Sequence, residues 1–274
     1  MFIGRSFQIA YKYNIQTNTY TQLANIPQKF YGKAIAIGNN VYLFGCSNSQ
    51  TGAYKYNIQT NTYTQLATIP SSFTVHNPAA AVGNDIYLFG IYYKYNITTN
   101  TYTRSILNPP YDTYQGDATA IGNTIYLFGS RDYPTIAYKY DTTTNTYTQL
   151  TDIPYQFQGG SVAAIGNNVY LFGSVQQYNR QYAYKYDALT NTYTQLANMP
   201  YEFYGGSIVT IRSSIYLLGG EASMYSNFKY NVIAYSTYLT KKLQTEFTEV
   251  NLYNNSTKLS LPAYYGDGTN WNSL

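Results

Sequence analysis

Charge is scarce in this chain: of 274 residues, 16 are Lys or Arg and 12 are Asp or Glu, for a net charge of +4 with the basic residues scattered. Scattered charge excludes the basic stripe of a nucleic-acid-binding surface and singles out no anionic partner. Cysteine and histidine are each reduced to one residue, Cys46 and His76. A lone thiol makes no internal disulfide, and one Cys with one His cannot assemble a zinc site, so no metal or other cofactor is expected. Cys46 reads as a small apolar filler just past a strand. Catalysis at neutral pH usually rests on a group titrating near neutrality, and His76 has no acid or nucleophile beside it in a recognisable motif. Acidic residues are mostly isolated, so a glycoside-acting enzyme is a weak reading, open only because distant segments could bring two carboxylates together. No apolar run approaches the ~18 residues of a membrane span. The opening MFIGRSFQIAYKYN shows no charged leader, apolar stretch and cleavage site in succession. Neither membrane insertion nor a secretion signal is expected, and localisation stays open.

Tyrosine fills the space that charge leaves, with 37 copies beside 12 Phe. Aromatic and β-branched residues favour strands. The tyrosines also repeat. YKYN or YKYD recurs with its second tyrosine at Tyr13, Tyr56, Tyr95, Tyr140 and Tyr186, and FKYN follows at Tyr230, in steps of 43, 39, 45, 46 and 44. TNTYT keeps phase with it at Tyr20, Tyr63, Tyr102, Tyr147 and Tyr193, and YLFG or YLLG starts at Tyr42, Tyr87, Tyr126, Tyr170 and Tyr216. A small or β-branched run such as SVAAIGNN precedes each YLFG, so every period holds four strand candidates. In the clearest copy these are 161–165, 169–172, 183–186 and 192–196, separated by turn residues at Gly166-Asn167-Asn168 and at 187–191. The period predicts a meander of four antiparallel strands. One such sheet cannot bury both faces, so neighbouring copies must stack, and stacking them radially gives a propeller in one domain.

With its hydrophobic second strand ending in glycine, tyrosine in the third strand and an aromatic opening the fourth, the chain resembles the kelch family over about residues 1–240. The resemblance implies an all-β, kelch-like β-propeller. Two departures mark a divergent branch. The glycine pair after the second strand survives only at Gly219-Gly220, with Gly45, Gly90, Gly129 and Gly173 standing alone, and tyrosine replaces the usual fourth-strand tryptophan. Kelch-like copper oxidases related to galactose oxidase imply several histidine ligands and a cysteine-linked tyrosine, which this chain cannot supply. Met1-Phe2-Ile3-Gly4 aligns with the end of a second strand, so the first blade lacks its inner strand. Residues 241–274 are the expected closing segment, with strand-like runs in 246–265 about Asn254-Asn255-Ser256. Closing the ring with strands from both termini yields six four-stranded blades, or five if that hairpin packs outside, and removes exposed edges.

Residues repeated in every blade are explained by the blade. A site is sought in what varies, the loop between second and third strands: 46–52, almost nothing after Gly90, then 130–136, 174–182 and 221–227. That loop and the inter-blade connections, such as IPYQFQGG, are expected on one face. Phe30, Phe73, Phe157 and Phe203, each three residues after a proline, read as packing staples. The candidate binding residues are Tyr31, Tyr111, Tyr155, Tyr201 and Tyr204 from the connections, with Arg131, Asp132, Tyr133, Tyr178, Arg180, Glu221 and Tyr225 from the loops. Tyr, Asn and Arg suit protein interfaces, and rings with amides also suit sugars. The tail 263–271, AYYGDGTNW, is similar to endings of phage tail and baseplate proteins. The expected function is therefore a non-catalytic binding or scaffold propeller for a protein partner, with the tail contacting a larger assembly such as a phage tail. A glycan-binding adhesin is the alternative.

Overall fold

The computed structural model describes residues 8–14, 19–104, 108–174, 180–199, 202–211, 214–218 and 227–231, with short strands at 2–3, 253–254, 257–258 and 271–273. A three-stranded sheet comes first, of β1 (Phe2–Ile3), β2 (Ala10–Asn14) and β3 (Thr19–Gln22). Four complete antiparallel blades follow. Blade A holds β4 (Phe30–Ile37), β5 (Asn40–Cys46), β6 (Gly52–Asn57) and β7 (Thr62–Gln65). Blade B holds β8 (Ala79–Val82), β9 (Asp85–Leu88), β10 (Tyr93–Asn96) and β11 (Thr101–Thr103). Blade C holds β12 (Asp117–Ile121), β13 (Thr124–Phe128), β14 (Ala137–Asp141) and β15 (Thr146–Gln149). Blade D holds β16 (Ser161–Ile165), β17 (Asn168–Phe172), β18 (Ala183–Asp187) and β19 (Thr192–Gln195). After it come β20 (Ser207–Ile211), β21 (Ser214–Leu218) and β22 (Asn227–Asn231), then a separate pair of β23 (Tyr253–Asn254) with β24 (Thr257–Lys258). The last strand, β25 (Trp271–Ser273), pairs with β22. Among the described residues there is no helix, hence none long and apolar enough to cross a membrane.

First strands lie side by side in the order β4, β8, β12, β16, β20, which makes the arrangement a β-propeller. Small residues such as Ala34, Ala80, Ala118 and Ala163 face a central channel of about 370 Å³. In blades A to D two-residue loops join first to second strands. Gly166, in one of them, has φ of +59° with Ile165 opposite Asn168, the Gly-first hairpin whose twist suits paired strands.

The repeated tyrosines form the seams between blades. In blades A, B and C the Tyr and Phe of YLF point to one side and meet the second YKY tyrosine of the next blade. Phe44 meets Tyr95 at 5.4 Å, Phe89 meets Tyr140 at 6.2 Å and Phe128 meets Tyr186 at 5.7 Å, all edge to face. Each such pair contributes roughly 0.5–1.5 kcal/mol beyond its buried area. Within a blade the same tyrosine lies against the TNTYT ring, as Tyr186 does against Tyr193 at 5.0 Å.

Tyrosine rather than phenylalanine is needed here because the hydroxyl has a partner five residues on. Tyr56, Tyr95 and Tyr186 each donate to the side-chain oxygen of Asn61, Asn100 and Asn191 at 2.9 Å, and Tyr140 donates to Asn145. Those asparagines are left-handed, with φ from +54° to +57°, a conformation Asn tolerates better than other side chains. The same oxygens reach the preceding sheet or blade, accepting from the N–H of Ala24, Ala67 and Thr151 at 2.9–3.0 Å. The turn before each asparagine is closed by Asn57, Asn96, Asp141 or Asp187, whose side chain accepts two backbone N–H groups. TNTYT is thus a turn, a ring contact and an inter-blade staple at once.

Candidate functional site

Backbone hydrogen bonds place the variable loops and the connections on one face. The loop after β5 donates its Ser47 N–H to the carbonyl of Lys29 in the incoming connection, and its Gln50 carbonyl accepts the N–H of Phe73 in the outgoing one. Blade C repeats this with Arg131 to Tyr114 and Phe157 to Pro134, and blade D with Phe203 to Arg180. Phe30, Phe73, Phe157 and Phe203 are buried, the packing role their spacing predicts.

The channel opens on this face through a mouth stitched by a belt of backbone bonds. Val75 N–H donates to Tyr31, Gln115 to His76, Gly159 to Gln115 and Gly205 to Gly159, at 2.7–2.9 Å. Glycine is required where these connections meet the second strands: a Cβ on Gly173, at φ +70°, would lie 1.7 Å from the Phe203 carbonyl oxygen. The mouth is a cavity of about 170 Å³ whose polar lining includes Lys33, His76, Gln115, Ser161 and Tyr204. At its base Lys33 Nζ donates to Asp117 Oδ1 at 2.9 Å, reaching past blade B, whose matching residue is Pro78. Asp117 also accepts the Val162 N–H at 3.0 Å, so one carboxylate ties together blades A, C and D. Gln158 Nε2 donates to Gln115 Oε1 at 2.6 Å.

Two aromatic–guanidinium stacks stand on the rim. Arg180 lies 4.7 Å over the Tyr204 ring and donates to Glu202 at 2.8 Å. Arg131 lies 5.2 Å over Tyr114, whose ring is 5.2 Å from that of His76. Arg131 also pairs with Asp132 at 3.0 Å, and that hydrogen bond holds the Asp132 carboxyl below the usual carboxylate range. Tyr133 beside them is 47% exposed.

The candidates chosen by loop variability therefore divide. Arg131, Asp132, Tyr133, Arg180 and Tyr204 do gather on the face, and Tyr31 is half-buried at the start of β4. Tyr111 and Tyr155, read as binding rings, are instead buried. They follow the connection proline and stack flat on the first YKY tyrosine of the next blade, Tyr111 on Tyr138 at 5.4 Å and Tyr155 on Tyr184 at 5.0 Å. Burial pushes both phenols well above their ordinary pKa, with Tyr138 and Tyr184 adding to it. Tyr178, Tyr201, Glu221 and Tyr225 lie outside the described residues. Residues the loop argument passed over are Lys33, Gln115, Asp117 and Tyr114. For Lys33 and Asp117 a signal was available: the residue opposite the end of each YLF or YLL changes from Lys33 to Pro78, Asp117, Ser161 and Ser207, a variable column in a repeated frame.

Among the described residues no cluster of His, Cys, Asp or Glu could hold a metal ion. No protein-family model matches the chain, and no curated protein matches it.

Proposed function

We propose that the chain is a divergent, kelch-like binding propeller of six blades whose mouth face holds a protein partner. The six-blade count rests on the six sheets that set an aromatic pair at the same point of their third and fourth strands, from Tyr13 opposite Tyr20 to Tyr230 opposite Trp271. The observation that carries the function is the rim. Arg180 on Tyr204 and Arg131 on Tyr114 are large, amphipathic groups held by the belt of backbone bonds, so little side-chain entropy is lost when a partner covers them. Asp117, the mouth carboxylate, is committed to Lys33 and the Val162 N–H, which favours binding over acid–base chemistry.

A second reading has its own support. The mouth cavity combines the Tyr204 ring with the Gln115 amide and the Ser161 hydroxyl, groups that suit a terminal sugar.

A glycan array and affinity capture of proteins, run on the wild type and on Arg131→Ala/Tyr133→Ala/Arg180→Ala, separate these. The expected result is a blank array and a protein partner whose affinity falls at least tenfold, about 1.4 kcal/mol, in the variant. Reproducible sugar binding lost in Tyr204→Ala favours the glycan reading instead. Hydrolysis of a polysaccharide by the purified protein overturns both.

A further inference from the structure

In blades A to D the fourth strand follows the third after a four-residue turn, and the chain closes its own sheet locally. The last sheet differs. Its outer strand is β25, separated from β22 by the 39 residues 232–270. The pairing register matches the blades: Lys229 faces Asn272 as Lys185 faces Thr194, and Tyr230 faces Trp271 as Tyr186 faces Tyr193. A one-residue slip would send every side chain to the opposite face, so an aromatic at this point in all six sheets is a register signal. Trp271 is the only tryptophan in the chain.

One feature separates this strand from its counterparts. Its connection, 39 residues long, can span at most roughly 130 Å, against about 4.8 Å between paired strands. Such a length does not oblige a C-terminal strand to pair with its own propeller. An edge strand, once uncovered, presents a row of unpaired N–H and C=O groups that accepts any extended segment of matching register, and the C-terminus of an identical chain is such a segment.

We propose that the outer edge of β22 is a strand-docking surface and that its occupant is exchanged between copies: residues 271–273 of one chain complete the last sheet of another. The contact is a domain swap, which needs no surface beyond the one each copy already carries.

Single-cysteine variants in the full chain test this. Lys229→Cys and Asn272→Cys proteins are mixed and oxidised with glutathione disulfide. Native Cys46 stays in place, since it is fully buried. The expected product is a disulfide-linked heterodimer whose yield relative to monomer rises about tenfold for a tenfold rise in concentration, and which falls when a peptide of residues 266–274 is added. Lys185→Cys replaces Lys229→Cys as control, because the edge of β18 is already filled by β19. A disulfide confined within the chain of a Lys229→Cys/Asn272→Cys double variant at every concentration overturns exchange and leaves an intramolecular strand. No disulfide in either format overturns the docking itself, and equal dimer from the Lys185→Cys control marks the contact as non-specific.

Discussion

The TNTYT asparagine offers the sharpest check on how the blades hold together. Asn191 does three things: it adopts φ of +54°, accepts the Tyr186 hydroxyl at 2.9 Å and accepts the Thr151 N–H of the preceding blade at 3.0 Å. Asn191→Ala keeps the backbone carbonyl, so the bond from Thr151 Oγ1 at 2.8 Å survives. It places a Cβ without a local polar partner in the left-handed region, costing about 1 kcal/mol. It leaves the Tyr186 hydroxyl without its acceptor, about 1 kcal/mol more, and returns an exposed N–H to water for a few tenths. The expected loss is about 2–2.5 kcal/mol in urea unfolding followed by circular dichroism, with an unchanged dependence on denaturant. Asn191→Gly removes the conformational part and should lose about 1–1.5 kcal/mol. Asn191→Asp keeps both the acceptor and the tolerance for this backbone and should stay within about 0.5 kcal/mol of wild type. The order Ala, Gly, Asp is the signature. Equal losses for Ala and Gly would remove the conformational argument, and a loss for Ala below about 0.5 kcal/mol would remove the staple.

Gly173→Ala, whose Cβ would meet the Phe203 carbonyl, should cost more than about 3 kcal/mol, while Gly166→Ala, at φ +59° with no atom within 4 Å, should cost about 1 kcal/mol; thermal melts of the two rank them. Alkali should unfold the propeller through its tyrosines. Burial pushes Tyr95, Tyr140, Tyr170 and Tyr186 up to about 12, above the unfolded value near 10, so their contribution is whole below pH 10 and lost as pH rises towards 12. Phenolate absorbance and circular dichroism should change together there; smooth titration near 10 with the fold intact would refute it.

Most of the blade was legible in the chain because its signals are local. Predicted strands 161–165, 169–172, 183–186 and 192–196 match β16 to β19 within a residue at each end, since period-two alternation and turn residues act over a few positions. Less of the site was legible. Variability marked Arg131, Tyr133, Arg180 and Tyr204, which do share a face, but it also marked Tyr111 and Tyr155, which are buried. Nothing local separates a tyrosine after proline that stacks on a neighbouring blade from one that meets solvent. The partner that decides, Tyr138 or Tyr184, stands 27 or 29 residues away on another strand.

By itself, then, the sequence determined the unit: four strands, their turns, and the tyrosines and asparagines that join one unit to the next. These follow from alternation, turn chemistry and a repeat of about 45 residues, all of which act along the chain. Only the tertiary structure decided what meets across the ring. Lys33 and Asp117 are 84 residues apart and pair because stacked blades bring first strands round a common channel. Trp271 lies opposite Tyr230 because an open strand edge accepts a segment by register, whatever its distance in sequence.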